Sequence, residues 1–185
     1  MRRGTREGSV TGMDQREGYT MRTVTQWLDE YGESHRNAVN KRLHWTCVPA
    51  IVVSVIGFFW SLPVPSAFAA LSPWLNWATI AAVLSLGYYF VLSPPLALGS
   101  AVVFAAMFAI VLALERLSWP LWQTCLAIFV VAWIGQFIGH AIEGKRPSFF
   151  KDLQFLLIGP LWLLAFVYRG LGLEYRRPGV PEQGK

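Results

Sequence analysis

Trp27–Pro49, WLDEYGESHRNAVNKRLHWTCVP, is the stretch on which the reading of this chain turns. It places His35 and His44 where a polar N-terminal region gives way to a long apolar one. A shorter echo, GQFIGHAIEGKRP at Gly135–Pro147, holds the one other histidine, His140. Roughly ninety residues of mostly apolar sequence lie between the two segments. Three histidines at the edges of hydrophobic runs suggest a single metal site.

Local pattern within the first stretch supports that reading. Thr23 with Gln26 three residues on makes a capping box, and Val24, Trp27, Leu28 and Tyr31 follow at i, i+3, i+4 and i+7. The spacing predicts a short amphipathic helix at a membrane surface. Gly32 is the expected stop and Asn37 the N-cap of a second helix. The break matters, because His35 and His44 would lie on opposite faces of an unbroken helix, about 900° apart at 100° per residue. With a helix starting at Asn37, His35 can fold back toward the face that carries Asn40 and His44.

Outward from there, composition sets the class. Hydrophobic residues make up 54%, charged residues 15%, and there are nine Trp, whereas a soluble domain carries about 45–50% apolar residues. No charged side chain occurs from Trp45 to Leu114, and after Glu115 and Arg116 the next are His140 and Glu143. Since one helical crossing takes about 20 apolar residues, the chain reads as an all-α, polytopic membrane bundle. Four crossings are expected: His44 to Leu62, Trp74 to Leu92, Leu96 to Leu114 and Pro120 to His140. Trp60, Trp74, Trp77, Trp119 and Trp122 fall near their ends, as an interfacial aromatic belt requires.

The remaining apolar run, Leu153 to Tyr168, has Pro160 at its middle and basic residues at both ends. It is expected to form a re-entrant or interfacial helical hairpin over the cytoplasmic mouth. Residues 1–22, polar and without apolar periodicity, read as a disordered basic leader with no cleavable signal peptide. Residues 23–170 form the membrane-embedded catalytic domain, and 171–185 a flexible basic tail. The net charge of +5 flanks hydrophobic segments and carries no nucleic-acid-binding motif, so no nucleic acid partner is expected. Cys47 and Cys125 read as buried free thiols. Arg36, Lys41 and Arg42 before the first crossing, and Lys145, Arg146 and Lys151 after the fourth, put both histidine segments on the cytoplasmic side. A bacterial inner membrane is expected rather than the endoplasmic reticulum.

On the fourth helix Gln136, His140 and Glu143 share a stripe, and Gly135 and Gly139 form a G-x-x-x-G that favours close helix packing. A lone intramembrane histidine is more often a hydrogen-bonded structural residue. Three at one predicted depth, with Asn40, Glu143 and Asp29 nearby, point to function, because polar groups at membrane depth are costly. Imidazoles with a carboxylate and open positions suit non-haem Fe(II), and zinc would fit the same ligands.

Two segments, WLDEYGESHRNAVNKRLHWTCVP and QFIGHAIEGKRPSFFKDLQFLLIGPLW, resemble the signatures of the Mpo-type 2-hydroxy fatty acid dioxygenase family. The likeness spans roughly Val24 to Arg169 in the ordered set YxxxH, N-xxx-H and GH-xxE-xxxP. It implies an Fe(II)-dependent membrane enzyme that uses O2 to shorten a 2-hydroxy fatty acid by one carbon. His35, His44 and His140 would be the ligands and Tyr31, Asn40 and Glu143 their polar companions, Glu143 as a ligand or as a hydrogen-bond acceptor that orients one. Tyr31 and Asn40, with Gln136 from the shared stripe, would contact the substrate or support the ligands. The long Arg-containing leader is not part of that pattern. A different lipid-modifying metalloenzyme, or a scaffold or transporter with structural histidines, are the rival readings. Three histidines are too few for the HxxxH and HxxHH boxes of di-iron desaturases.

Overall fold

The computed structural model describes residues 22–147 and 154–176. The expected leader, apart from Arg22, lies outside these residues, as do Lys151 and the tail beyond Arg176. Seven helices make up the described chain: α1 (Val24–Gly32), α2 (Ala38–Ser61), α3 (Ser66–Leu71), α4 (Trp77–Leu92), α5 (Pro94–Leu114), α6 (Leu121–Glu143) and α7 (Phe155–Gly170). No strand occurs among the described residues, and the architecture is all-α as the sequence predicts.

Side-chain caps explain where the helices begin. Thr23 and Gln26 complete the expected capping box on α1. The Asn37 side chain accepts from the Val39 amide, which starts α2 four residues after the Glu33 cap of α1. The Asn76 and Ser93 side chains do the same for α4 and α5. Because α2 begins at Ala38, His44 lies almost two turns inside a helix rather than at its tip, and Asn40 sits one turn before it.

Three helices, α2, α5 and α6, are long and apolar enough to cross a membrane. The expected second crossing is the 16-residue α4, about 24 Å long at 1.5 Å per residue and thus shorter than a hydrocarbon core of about 30 Å. The spanning helices leave large apolar side chains such as Leu98, Val102 and Val131 exposed, as lipid contact requires. Trp74, Trp119 and Trp122 are exposed near helix starts.

The centre of the bundle is the pair α2 and α6. Gly139 faces Asn40, Gly135 faces Cys47, and Cys125 faces Gly57, so the two helices run antiparallel. A Cβ on Gly135 would come within 2.6 Å of the Cys47 sulfur, and the G-x-x-x-G therefore does admit a close neighbour. Both cysteines are free and buried. Helices α4 and α5 pack on α2.

Helix α7 crosses the bundle end that carries the histidines. It packs on α1, α2 and α5. The Tyr89 hydroxyl near the end of α4 donates to the Leu157 carbonyl, and the Tyr168 hydroxyl donates to Pro95 at the start of α5. The chain then closes on itself, with the Ser93 hydroxyl bonded to the Tyr175 carbonyl. Its form differs from a hairpin: Pro160 lies inside one continuous helix. A proline removes one backbone donor and crowds the preceding turn, a cost that packing on three other helices offsets.

At the end of α6, Gly144 (φ 71°) is left-handed, its amide donating to Ala141 and that of Lys145 to the His140 carbonyl. This paired closure needs a residue that tolerates positive φ. Gly144→Ala is expected to destabilise the protein by about 1–2 kcal/mol, read as a lower thermal unfolding midpoint in detergent.

Candidate metal centre

Each histidine is placed by a different piece of chain. His35 lies in the link between α1 and α2, where its amide donates to the Gly32 carbonyl. Its ring stacks on Tyr31 at 4.2 Å between centroids. His44 faces inward from α2, and His140 from α6 with its ring centroid 5.0 Å from each of the other two. All three are buried, and one nitrogen from each falls within 4.8 Å of the others. They could therefore hold one metal ion.

Their hydrogen bonds test that fit. Nδ1 of His35 lies 2.6 Å from the Tyr31 carbonyl, and Nδ1 of His44 lies 3.0 Å from the Asn40 carbonyl. A carbonyl oxygen only accepts, so both Nδ1 atoms must carry hydrogen. In the neutral rings both Nε2 atoms then present lone pairs, and these meet at 2.8 Å. Two facing lone pairs repel unless a cation lies between or beside them. A shared proton is disfavoured, because burial lowers the His35 pKa to about 4. Neutral, tautomer-locked imidazoles are the form that binds a metal. Two nitrogens each about 2.05 Å from one zinc ion can lie at most about 4.1 Å apart, and the 2.8 Å between these two is within that reach.

Glu143 does not join the three rings. Its carboxylate accepts from the backbone amides of Arg36 (2.9 Å) and Asn37 (2.7 Å) and from Asn40 Nδ2 (3.2 Å). The last residue of α6 thus closes onto the N-terminus of α2, where free amides and the helix dipole favour an anion. It anchors the link that holds His35. Asn40 also donates to the Ser34 carbonyl, and Lys145 Nζ donates to Glu33 on the same link. Arg36 and Asp29 are exposed, and Asp29 has no part in the cluster.

Tyr31 packs beneath His35, and burial raises its pKa. Gln136 is buried beside the centre. Its Nε2, like His140 Nδ1 and Asn40 Oδ1, has no hydrogen-bond partner among the described residues. Buried donors are ordinarily satisfied, so Gln136 and His140 are positioned to meet a ligand. The sequence did not single out Trp162, whose ring is 5.2 Å from His35 and 5.5 Å from Tyr31. It stands one residue after Leu161 in an apolar run, with no pattern to mark it.

An open cavity lies between α2, α6 and α7, its volume of about 470 Å³ counting the solvent at its open side. His44, His140, Gln136 and Tyr31 line one end of it, and Val48, Val52 and Trp133 are among its apolar walls. An amphiphile with its polar end at the histidines would match this polarity.

Comparison with known proteins agrees with the geometry. No curated protein and no solved structure matches the chain. A profile of one family does match, over residues 21–171, and that range contains all three histidines, Glu143 and the cavity. The chain belongs to the 2-hydroxy-palmitic acid dioxygenase Mpo1-like family.

Proposed function

We propose that this protein is an Fe(II)-dependent membrane dioxygenase that shortens 2-hydroxy fatty acids by one carbon. The observation that carries the reading is the convergence of His35 and His44 Nε2 lone pairs at 2.8 Å, with His140 closing the third side. Three imidazole donors would suit non-haem Fe(II), the metal of an oxidation by O2, although zinc would fit the same ligands.

His35, His44 and His140 would hold the iron, which when bound would supply the redox chemistry that lets O2 react with the acid. The protein's own groups do the rest. The Tyr31 and Asn40 carbonyls lock two imidazoles in the ligating tautomer. Glu143 holds the His35 link in place. Gln136 Nε2, which has no partner among the described residues, offers an N–H to the carboxylate or hydroxyl of the substrate. Burial of the centre and the apolar walls keep out water.

The reaction balances without an external reductant. A 2-hydroxy acid and O2 give the acid one carbon shorter, carbon dioxide and water. The C1–C2 bond breaks, and four electrons pass from the acid to O2.

The fourth crossing of this reading is α4. Four crossings would bring the histidine segments to one side, and the basic residues that flank them, Arg36, Lys41, Arg42, Lys145 and Arg146, support the cytoplasmic side. A bacterial inner membrane fits best. Purified protein reconstituted with iron should convert 2-hydroxy acids in air to acids one carbon shorter and consume one O2 per product. Chelation should stop this, and added Fe(II) should restore it. Protein that retains no metal and oxidises no 2-hydroxy acid would overturn the proposal.

A further inference from the structure

We infer that Trp133 sets the length of acyl chain that the protein accepts, by standing across the inner end of the cavity between α2, α6 and α7. The inference rests on the reading above for the identity of the polar head, a 2-hydroxy acid, and adds the residue that measures its tail.

The polar groups of the cavity are gathered at one level. His44 and His140 line it together, their ring centroids 5.0 Å apart, and the unpartnered Gln136 Nε2 lies one turn from His140. Beyond that level the walls on α2 and α6 are apolar. These helices are antiparallel, so depth can be counted along both from the facing histidines. Val52 comes eight residues after His44 and Trp133 seven before His140, about 12 Å and 10 Å at 1.5 Å per residue. Among the residues lining the cavity, none on either helix lies farther from the histidines. The two therefore mark the end of the cavity farthest from the histidines.

Trp133 is the larger of the pair and packs between two rings one turn away on its own helix. Its ring packs against Phe129 at 5.9 Å and Phe137 at 5.6 Å between centroids. A saturated chain whose carboxyl end reaches the histidines runs into this indole. Methylenes short of it gain apolar contact, and those past it must displace the ring. Val52 has no such bulk, so enlarging it should move this end of the cavity toward the histidines.

The test uses full-length, iron-loaded protein in lipid nanodiscs and a graded series of 2-hydroxy acids. Binding is measured under nitrogen and product formation in air. Trp133→Ala should raise the long-to-short preference about tenfold, the scale on which apolar pockets discriminate by chain length, and Val52→Phe should lower it by a similar factor. Iron content equal to the parent shows that each variant is folded. If Trp133→Ala fails this check, Trp133→Leu and Val52→Phe decide the matter. Unchanged length preference in variants that retain iron would overturn the inference, as would failure of the parent to bind any 2-hydroxy acid. Binding that shifts as expected while the parent forms no product would sink the oxidation reading and leave the gauge standing. Normal product formation without a shift would do the reverse.

Discussion

Replacing His140 by Ala is expected to strip the protein of iron and of all lipid oxidation while leaving it inserted in the membrane. The first part follows from geometry. His35 and His44 already approach to 2.8 Å, and His140 closes the cluster within 4.8 Å. With only two imidazoles left, no other His, Cys, Asp or Glu among the described residues joins a three-ligand group. The second part follows from packing. The contact between α2 and α6 runs along their whole length, through the Gly57–Cys125 and Gly135–Cys47 approaches, so losing one ring near its end does not undo it. Alanine at His35 or His44 should give the same loss of metal. The measurements are iron per protein by elemental analysis, product formation, and recovery in the membrane fraction. Full activity in His140→Ala would remove the basis for the catalytic reading.

The next largest effect is expected at Glu143, whose role differs in kind. Glu143→Gln should weaken iron binding by about 10–100-fold without abolishing it, the scale typical of a group that supports a metal ligand. The carboxylate offers two oxygens to three donors, the Arg36 and Asn37 amides and Asn40 Nδ2. An amide side chain keeps one oxygen and turns an N–H₂ toward a donor, so at least one of these bonds is lost. The link that carries His35 then loosens, and that imidazole spends less time in ligating position. Titrating the variant with Fe(II) separates the two roles. A shifted midpoint with full final occupancy fits a positioning residue, whereas no binding at any concentration would make Glu143 a ligand.

Much of this was legible in the residue order. Helix caps at Thr23 and Asn37 and the stop at Gly32 are local chemistry, readable within four positions, and they are what allow His35 to turn back toward His44. The glycines at 135 and 139 signalled a close neighbour, and the structure shows that it is α2, the helix that carries His44. The role of Glu143 was less legible because its main partners are backbone amides more than a hundred residues away, and an amide leaves no mark in sequence. The form of α7 was missed for a related reason. Pro160 reads as a break when a helix stands alone, and the contacts with α1, α2 and α5 that tolerate it are not local. Trp133 and Trp162 were hidden in apolar runs, where a residue that lines a cavity looks the same as one that faces lipid.

The antiparallel pairing of α2 with α6 also dictates when the centre can come into being. During synthesis at about 5–20 residues per second, the ribosome delivers His44 several seconds before His140. In that interval α2 has an unfilled groove opposite Asn40, and the nascent protein has two of its three ligands. On the proposed reading, a metal would be captured tightly only after α6, the last of the three long apolar helices, has entered the lipid, and a chain that stalls before His140 would hold none.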